Sequence, residues 1–254
     1  WKGLVGSEMC IRDRVLIDPN KLSEDGTVAL SGIAISKDSQ YIAYGISKAG
    51  SDWQEWRIKN IDTGEHLPDV LQWIKFYIPT WKKDSQGLFY SRYEQPKEGK
   101  LKETNYLHKV YYHSLGKSQD NDVLIYEKPD RKEWSFNCYI TEDSKYLIIT
   151  VWQSTDRKNL VFYQDLTIPD APIVELISEF EAVYSLIDND NNIFWFVTDF
   201  DAPKRRVIAI DINNPPSPSL VKGDNQDKWQ EIIPEATYAS VSYTHLTLPT
   251  MDSV

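Results

Sequence analysis

The sequence is poor in the residues that carry most enzyme chemistry. It holds two cysteines and four histidines among 254 residues, too few for a disulfide framework or a thiolate-rich metal site. No segment reads Gly-x-Ser-x-Gly, the strained turn that lifts a nucleophilic serine above a sheet. A glycine-rich phosphate loop and a His-Glu-x-x-His helix are missing too. No apolar run approaches the ~20 residues of a membrane-spanning helix. No stretch keeps a helical period, because 13 prolines and many Asp, Asn and Ser clusters interrupt it. Positive charge is also short: 28 Lys and Arg face 38 Asp and Glu, for a net charge of −10. Binding a phosphate backbone needs clustered cations, and the basic stretch Lys97, Lys100 and Lys102 is interrupted by Glu98 and Glu103. The expected partners therefore include no nucleic acid and no membrane, and no cofactor or metal is expected.

What the chain does have is apolar and aromatic: 41% hydrophobic residues, with nine Trp, 15 Tyr and eight Phe. That content supports a well-packed core rather than disorder. It is organised as a repeated phrase, an apolar run, an acidic turn and a second apolar run. The copies lie at 32–44, around Lys37-Asp38-Ser39-Gln40, at 79–90, around Lys83-Asp84-Ser85-Gln86, and at 138–149, around Glu142-Asp143-Ser144-Lys145. A degenerate copy at 184–196 carries Asp188-Asn189-Asp190-Asn191-Asn192. Asp and Ser hydrogen-bond their own backbone in tight turns, Asn tolerates positive φ, and the aromatic and β-branched flanks favour strands. Each copy predicts a β-hairpin.

Further strand-like runs follow each hairpin, at 53–61 and 69–75, 108–115 and 122–127, 159–166 and 172–176, and 205–212 and 229–233. Four strands per unit, recurring every ~45 to 60 residues, is the make-up of a propeller blade. The expected fold is all-β: an incomplete arc of about four four-stranded blades of a β-propeller. Residues 15–18 read as the last strand of an earlier blade, and the Pro-rich stretch 213–227 as a surface insertion.

The ends carry a different signature. Met9-Cys10-Ile11-Arg12-Asp13 can be encoded ATG TGT ATA AGA GAC. The reverse complement, GTC TCT TAT ACA CAT, translates as Val-Ser-Tyr-Thr-His, which is 241–245 of this chain. Both ends resemble translated arms of a sequencing-library adapter. The expected organisation is therefore adapter-like sequence at 1–14 and 240–254, excluded from fold reasoning, around a partial propeller at 15–239. Cys10 and His245 fall in those ends, and the true N-terminus is expected to be missing.

Among the remaining reactive residues, Cys138 sits inside an apolar strand and reads as a small hydrophobe. His66 reads as part of a turn. His108 and His113 are an odd number apart, so on a strand they face opposite sides. Asp38, Asp84 and Asp143 are accounted for by turn chemistry. No catalytic residue is expected in this chain. Two readings stand at this level: a gating module belonging to an enzyme, and a stand-alone propeller acting as an interaction scaffold.

The phrases in order are more specific than the period. They include Asp18-Pro19-Asn20, Asp25-Gly26-Thr27, Gly50-Ser51-Asp52-Trp53, Leu67-Pro68-Asp69, Lys75-Phe76, Leu88-Phe89-Tyr90-Ser91-Arg92-Tyr93 and Val161-Phe162-Tyr163-Gln164-Asp165. Together they closely resemble the N-terminal β-propeller of prolyl oligopeptidases, over 15–238. The resemblance implies a seven-bladed propeller that caps an α/β-hydrolase domain bearing a Ser-Asp-His triad. It implies short proline-containing peptides and the hydrolase domain as partners. The triad-bearing part is missing here, so the fragment alone is expected to be inactive. The cytoplasm is the expected compartment, with the periplasm as the alternative.

Antiparallel strands alternate direction, so the loop between a blade's second and third strands shares a face with the link to the next blade. Asp52, Phe76 and Trp152 thus look toward one face, which the resemblance makes the peptidase-facing one. By resemblance, Phe76 matches an aromatic lining the substrate pocket, and Asp52 a carboxylate that pairs with an arginine of the hydrolase domain. Trp152 stands where some members carry an arginine, a departure that puts in doubt any propeller-supplied cation for the substrate backbone. The structural alternatives are inter-blade packing for Phe76, a loop cap for Asp52 and core filling for Trp152.

Overall fold

Each acidic turn closes a hairpin for a local chemical reason. In the first, Asp38 Oδ1 accepts from Ser36 Oγ at 2.6 Å and from Gln40 N at 3.0 Å. In the second, Asp84 Oδ1 accepts from Gln86 N at 3.0 Å. In the third, Asp143 Oδ1 accepts from Thr141 Oγ1 at 2.7 Å and from Lys145 N at 3.0 Å. The residue after each turn aspartate takes a positive φ: Ser39 at 61°, Ser85 at 56°, Ser144 at 63° and, after Asp190, Asn191 at 51°. A carboxylate that satisfies the turn amides offsets that backbone cost.

The computed structural model describes residues 15–96, 106–214 and 229–236. They form four antiparallel sheets of four strands, each in simple chain order. The first sheet is β1 (Val28–Ile35), β2 (Tyr41–Lys48), β3 (Gln54–Asn60) and β4 (His66–Ile74). The second is β5 (Thr80–Trp81), β6 (Gly87–Arg92), β7 (Lys109–Ser114) and β8 (Val123–Glu127). The third is β9 (Trp134–Ile140), β10 (Tyr146–Gln153), β11 (Asn159–Asp165) and β12 (Val174–Ile177). The fourth is β13 (Tyr184–Asp190), β14 (Ile193–Thr198), β15 (Arg206–Asp211) and β16 (Trp229–Ile233). The predicted blades are these sheets.

The spare strand predicted at 15–18 is absent. Asp18 instead caps a 3-10 turn at Pro19–Lys21, accepting from Asn20 N through its side chain. Proline fixes φ and removes a donor, so the segment turns where a ladder would need it to extend. Two further boundaries differ. The fourth strand of the first sheet begins at His66, which is therefore a strand residue, and His108 lies just before β7. The basic stretch 97–102 lies outside the described residues, and so does all but the first two residues of the 213–227 insertion. The ends 1–14 and 240–254 lie outside them as well.

The core lies between sheets rather than within one. Trp56, Ile58 and Leu71 of the first sheet meet Trp81, Leu88 and Tyr90 of the second. Phe89 and Val110 of the second meet Phe136, Leu147, Ile149 and Val151 of the third. Ile148, Val161 and Tyr163 of the third meet Tyr184, Phe194 and Phe196 of the fourth. On β10, odd-numbered residues serve one interface and Ile148 the other, as a two-residue period requires. This double-sided burial explains the unbroken apolar run there. A close approach fixes the first sheet: a Cβ at Gly45 would lie 2.6 Å from the Trp56 ring, so only glycine lets that indole cross β2.

The outermost face of the first sheet is different. Ile33 and Ile35 alternate with inward-facing Ala34 and are 49% and 52% exposed. Among the described residues the sheets stack in chain order and do not close into a ring.

Candidate functional site

The loops between second and third strands and the links between sheets lie together, and the backbone itself joins them. Tyr93 N donates to Trp73 O at 3.0 Å, and Leu107 N to Lys132 O at 2.9 Å. Asn159 N donates to Ala182 O at 3.2 Å, and its side chain pairs with both polar groups of the Tyr184 backbone. Val183 N donates to Asp199 Oδ1 at 2.7 Å. These bonds build one face of the arc.

Phe76 stands out on this face. It is the centre of a three-residue turn in which Tyr77 N donates to Lys75 O at 2.8 Å, with φ at 64°. A bulky residue at positive φ is rare and strained. The turn presents the ring to solvent, at 64% exposure, while Lys75 before it is buried. Ile78 beside it is 50% exposed. Phe76 is therefore not inter-blade packing.

The Lys75 ammonium lies 4.1 Å from the centroid of Trp53, a cation–π contact. Burial pushes its pKa down, and the charge of exposed Asp52 acts the other way. Asp52 and Lys75 thus bring opposite charges to the Phe76 turn. Trp53 also meets Trp73 and Tyr93 edge-on, with centroids 5.8 and 6.0 Å apart.

Trp152, near the end of β10, is half-buried and stacks on Tyr77 with centroids 6.0 Å apart and planes 15° apart. Tyr77 in turn lies against His108, which stacks on Phe136. His108 Nδ1 accepts from Phe136 N at 2.9 Å, so the ring is neutral with its proton on Nε2. Burial pushes its pKa down to about 3. Trp152 and Phe76 are thus brought together through Tyr77. Asp52 joins them only through Lys75 and Trp53.

The remaining candidates are structural. Cys138 is buried, its Sγ lies 3.7 Å from Ser91 Oγ, and burial pushes its thiol up to about 12. His66 Nδ1 meets Tyr44 Oη at 3.3 Å. One array was missed from the sequence. His113 is held between Asp122 Oδ1 at 2.6 Å from Nδ1 and Asp69 Oδ1 at 2.8 Å from Nε2. Both aspartates open the fourth strand-like run of their blade, a shared position that is the available signal. Among the described residues no histidine contacts a serine or cysteine as a base would, and no group of His, Cys, Asp and Glu is placed to hold a metal.

Four stacked four-stranded antiparallel sheets, each in simple chain order and carrying an aromatic and charged loop face, define the class as a β-propeller portion. Comparison gives the lineage. The family model described as the N-terminal β-propeller domain of prolyl oligopeptidase matches residues 7–250. The chain belongs to the prolyl oligopeptidase family. It is 32% identical to a prolyl endopeptidase of Elizabethkingia meningoseptica, over 89% of this chain and 30% of that protein. It is 34% identical to prolyl oligopeptidase A of Amanita bisporigera, over 89% of this chain and 31% of the relative. Among solved structures, it superposes on a prolyl endopeptidase with a TM-score of 0.76 at 26% identity, covering 91% of this chain and 31% of the other. Prolyl oligopeptidase B of Galerina marginata, bound to a 35-residue hydrolysis and macrocyclization substrate, gives 0.75 at 26% identity, over 86% and 31%. The chain spans about a third of the length of these relatives and aligns with their propeller portion. No helix among the described residues is long and apolar enough to cross a membrane.

Proposed function

We propose that this arc is the substrate-filtering propeller portion of a prolyl oligopeptidase, a serine endopeptidase that cleaves short peptides after proline. The observation that carries the reading is the strained, solvent-presenting turn at Phe76, set among Asp52, Lys75 and Trp152 on one loop face. Strain of this kind persists only where surrounding structure holds it, and it clusters at working surfaces. In this reading the face turns toward an α/β-hydrolase domain of the same protein. Phe76 contributes an apolar wall to the peptide pocket. Asp52, exposed and only loosely engaged by Lys75, is available to a cation of the opposing domain. Trp152 gives the face an aromatic plate where a cation would otherwise meet the peptide. A cap of this sort excludes folded proteins sterically and keeps water from the reacting bond.

The division of labour is testable in two steps. The pure chain should hydrolyse no Gly-Pro reporter; turnover that a serine-directed inhibitor blocks would contradict the reading. In the longer peptidase, Phe76→Ala should raise KM for such a reporter by roughly tenfold with kcat little changed, the pattern of lost uniform binding. An unchanged KM would remove Phe76 from the pocket.

A further inference from the structure

The Asp69, His113 and Asp122 array closes a loop of hydrogen bonds between the first two sheets. It starts at the backbone of β4, where Gln72 N donates to Gln119 Oε1 at 3.1 Å and Gln119 Nε2 donates back to Gln72 O at 3.2 Å. The same amide donates to Tyr90 Oη at 2.9 Å, and Tyr90 Oη donates to Asp122 Oδ2 at 2.5 Å. Asp122 Oδ1 then meets His113 Nδ1, and His113 Nε2 meets Asp69 Oδ1, back on β4. Gly116 N also donates to that Asp69 oxygen, at 2.6 Å. Side-chain exposure is 1% for His113, 0% for Asp69 and 1% for Asp122.

The donor count decides the protonation state. A neutral imidazole has one N–H and one lone pair, whereas an ionised carboxylate only accepts. Asp122 and Asp69 each place an oxygen against one ring nitrogen. Both contacts are hydrogen bonds without a carboxyl proton only if the ring is an imidazolium. Asp69 depends on this most, since its Oδ2 is buried with no hydrogen-bond partner. A buried carboxylate left without compensation is costly.

We propose that Asp69, His113 and Asp122 form a proton-dependent latch between the first and second sheets. It is closed while the ring carries both N–H groups and opens when it gives one up. Burial alone would push the His113 pKa down; the hydrogen bonds and charges of Asp122 and Asp69 outweigh it and raise it to about 9. The charged groups facing the ring from the packed elements are Asp69 on β4 and Asp122 before β8, and Tyr90 on β6 reaches it through Asp122. Tyr90 is itself pushed up, first by burial and then by Asp122, so it stays protonated through the same range. Lys117 and Asp120, on the loop above, are exposed to solvent. Since the folded value lies above the ordinary 6.5, the latch contributes fully below about pH 6.5 and is lost as pH rises through about 9.

The test is a titration of the intact chain from pH 6 to 10.5 by ring nitrogen NMR, with amide hydrogen exchange at Gln72 and Gly116. At pH 7 both His113 ring nitrogens should show imidazolium shifts, with the change centred near pH 9. Across that change, protection of Gln72 and Gly116 should fall roughly tenfold after correction for intrinsic exchange, while Phe162 and Ile208 in later sheets hold theirs. His113→Gln should lack the alkaline step, and Asp69→Asn should move the midpoint down by about a unit or more. A neutral ring at pH 7, unaltered protection across the titration, or the same alkaline step in His113→Gln would overturn the latch. If His113→Gln does not fold, the wild-type titration decides alone.

Discussion

Tyr77 and Trp152 lie in different sheets' territory, yet their rings stack within 15° of parallel. Tyr77 belongs to the link after the first sheet and Trp152 to the end of β10 in the third. The stack therefore ties together two connections that topology assigns to one face. Phe76, one residue away, contributes nothing to it and stands in solvent. The two aromatics should differ when truncated. Trp152→Ala should cost about 1–3 kcal/mol, combining lost burial with the ring pair. Phe76→Ala should cost under about 0.5 kcal/mol, as for an exposed side chain. Urea denaturation of the two variants makes the comparison; equal losses would mean that Phe76 is a packing residue after all.

Gly45→Ala tests the first interface. The added Cβ would meet Trp56 at 2.6 Å and Ser31 Oγ at the same distance. Trp56 is 1% exposed and pairs directly with Gly45 in the ladder, so it has little room to yield. A loss of roughly 1–3 kcal/mol is expected from overpacking. A variant as stable as the parent in chemical denaturation would show that the indole can relocate.

His108 predicts acid sensitivity. Its pKa falls from 6.5 to about 3 in the folded chain because burial disfavours the charged ring. The unfolded chain binds the extra proton first, so the contribution is intact above about pH 6.5 and is lost as pH falls toward 3. His108→Gln should flatten stability against pH in that window. The same slope in the variant would assign the acid loss to carboxylates elsewhere.

Much of the arc was legible because its signals are local. The Asp-Ser turns, the aromatic flanks and the run 229–233 of β16 are written in consecutive residues. The strand predicted at 15–18 failed because Pro19 and the Asp18 side chain favour a capped turn over an apolar run with no partner. The site was half legible. Topology placed Asp52, Phe76 and Trp152 on one face, whereas the strained turn at Phe76 and the Lys75–Trp53 contact have no sequence signature. The His113 array joins residues 44 and nine positions apart across two sheets, a relation that no short-range pattern expresses.

The ends carry the remaining prediction about boundaries. The family model reaches residues 7 and 250, while the reverse-complement relation between 9–13 and 241–245 argues that 1–14 and 240–254 are adapter-derived. Residues of that origin would not have been selected to pack. Deleting both ends should leave the melting temperature unchanged or higher. A drop of more than about 5 °C, worth roughly 1.3–2.5 kcal/mol in a domain of 150–250 residues, would make them part of the fold.

The most direct test of the central claim is to read the coding DNA of the source beyond both ends of this chain. The account predicts, in the same reading frame, further propeller blades and an α/β-hydrolase segment carrying a Gly-x-Ser-x-Gly elbow. A frame that completes a closed propeller and then stops, with no hydrolase segment on either side, would contradict it and leave an interaction scaffold in its place.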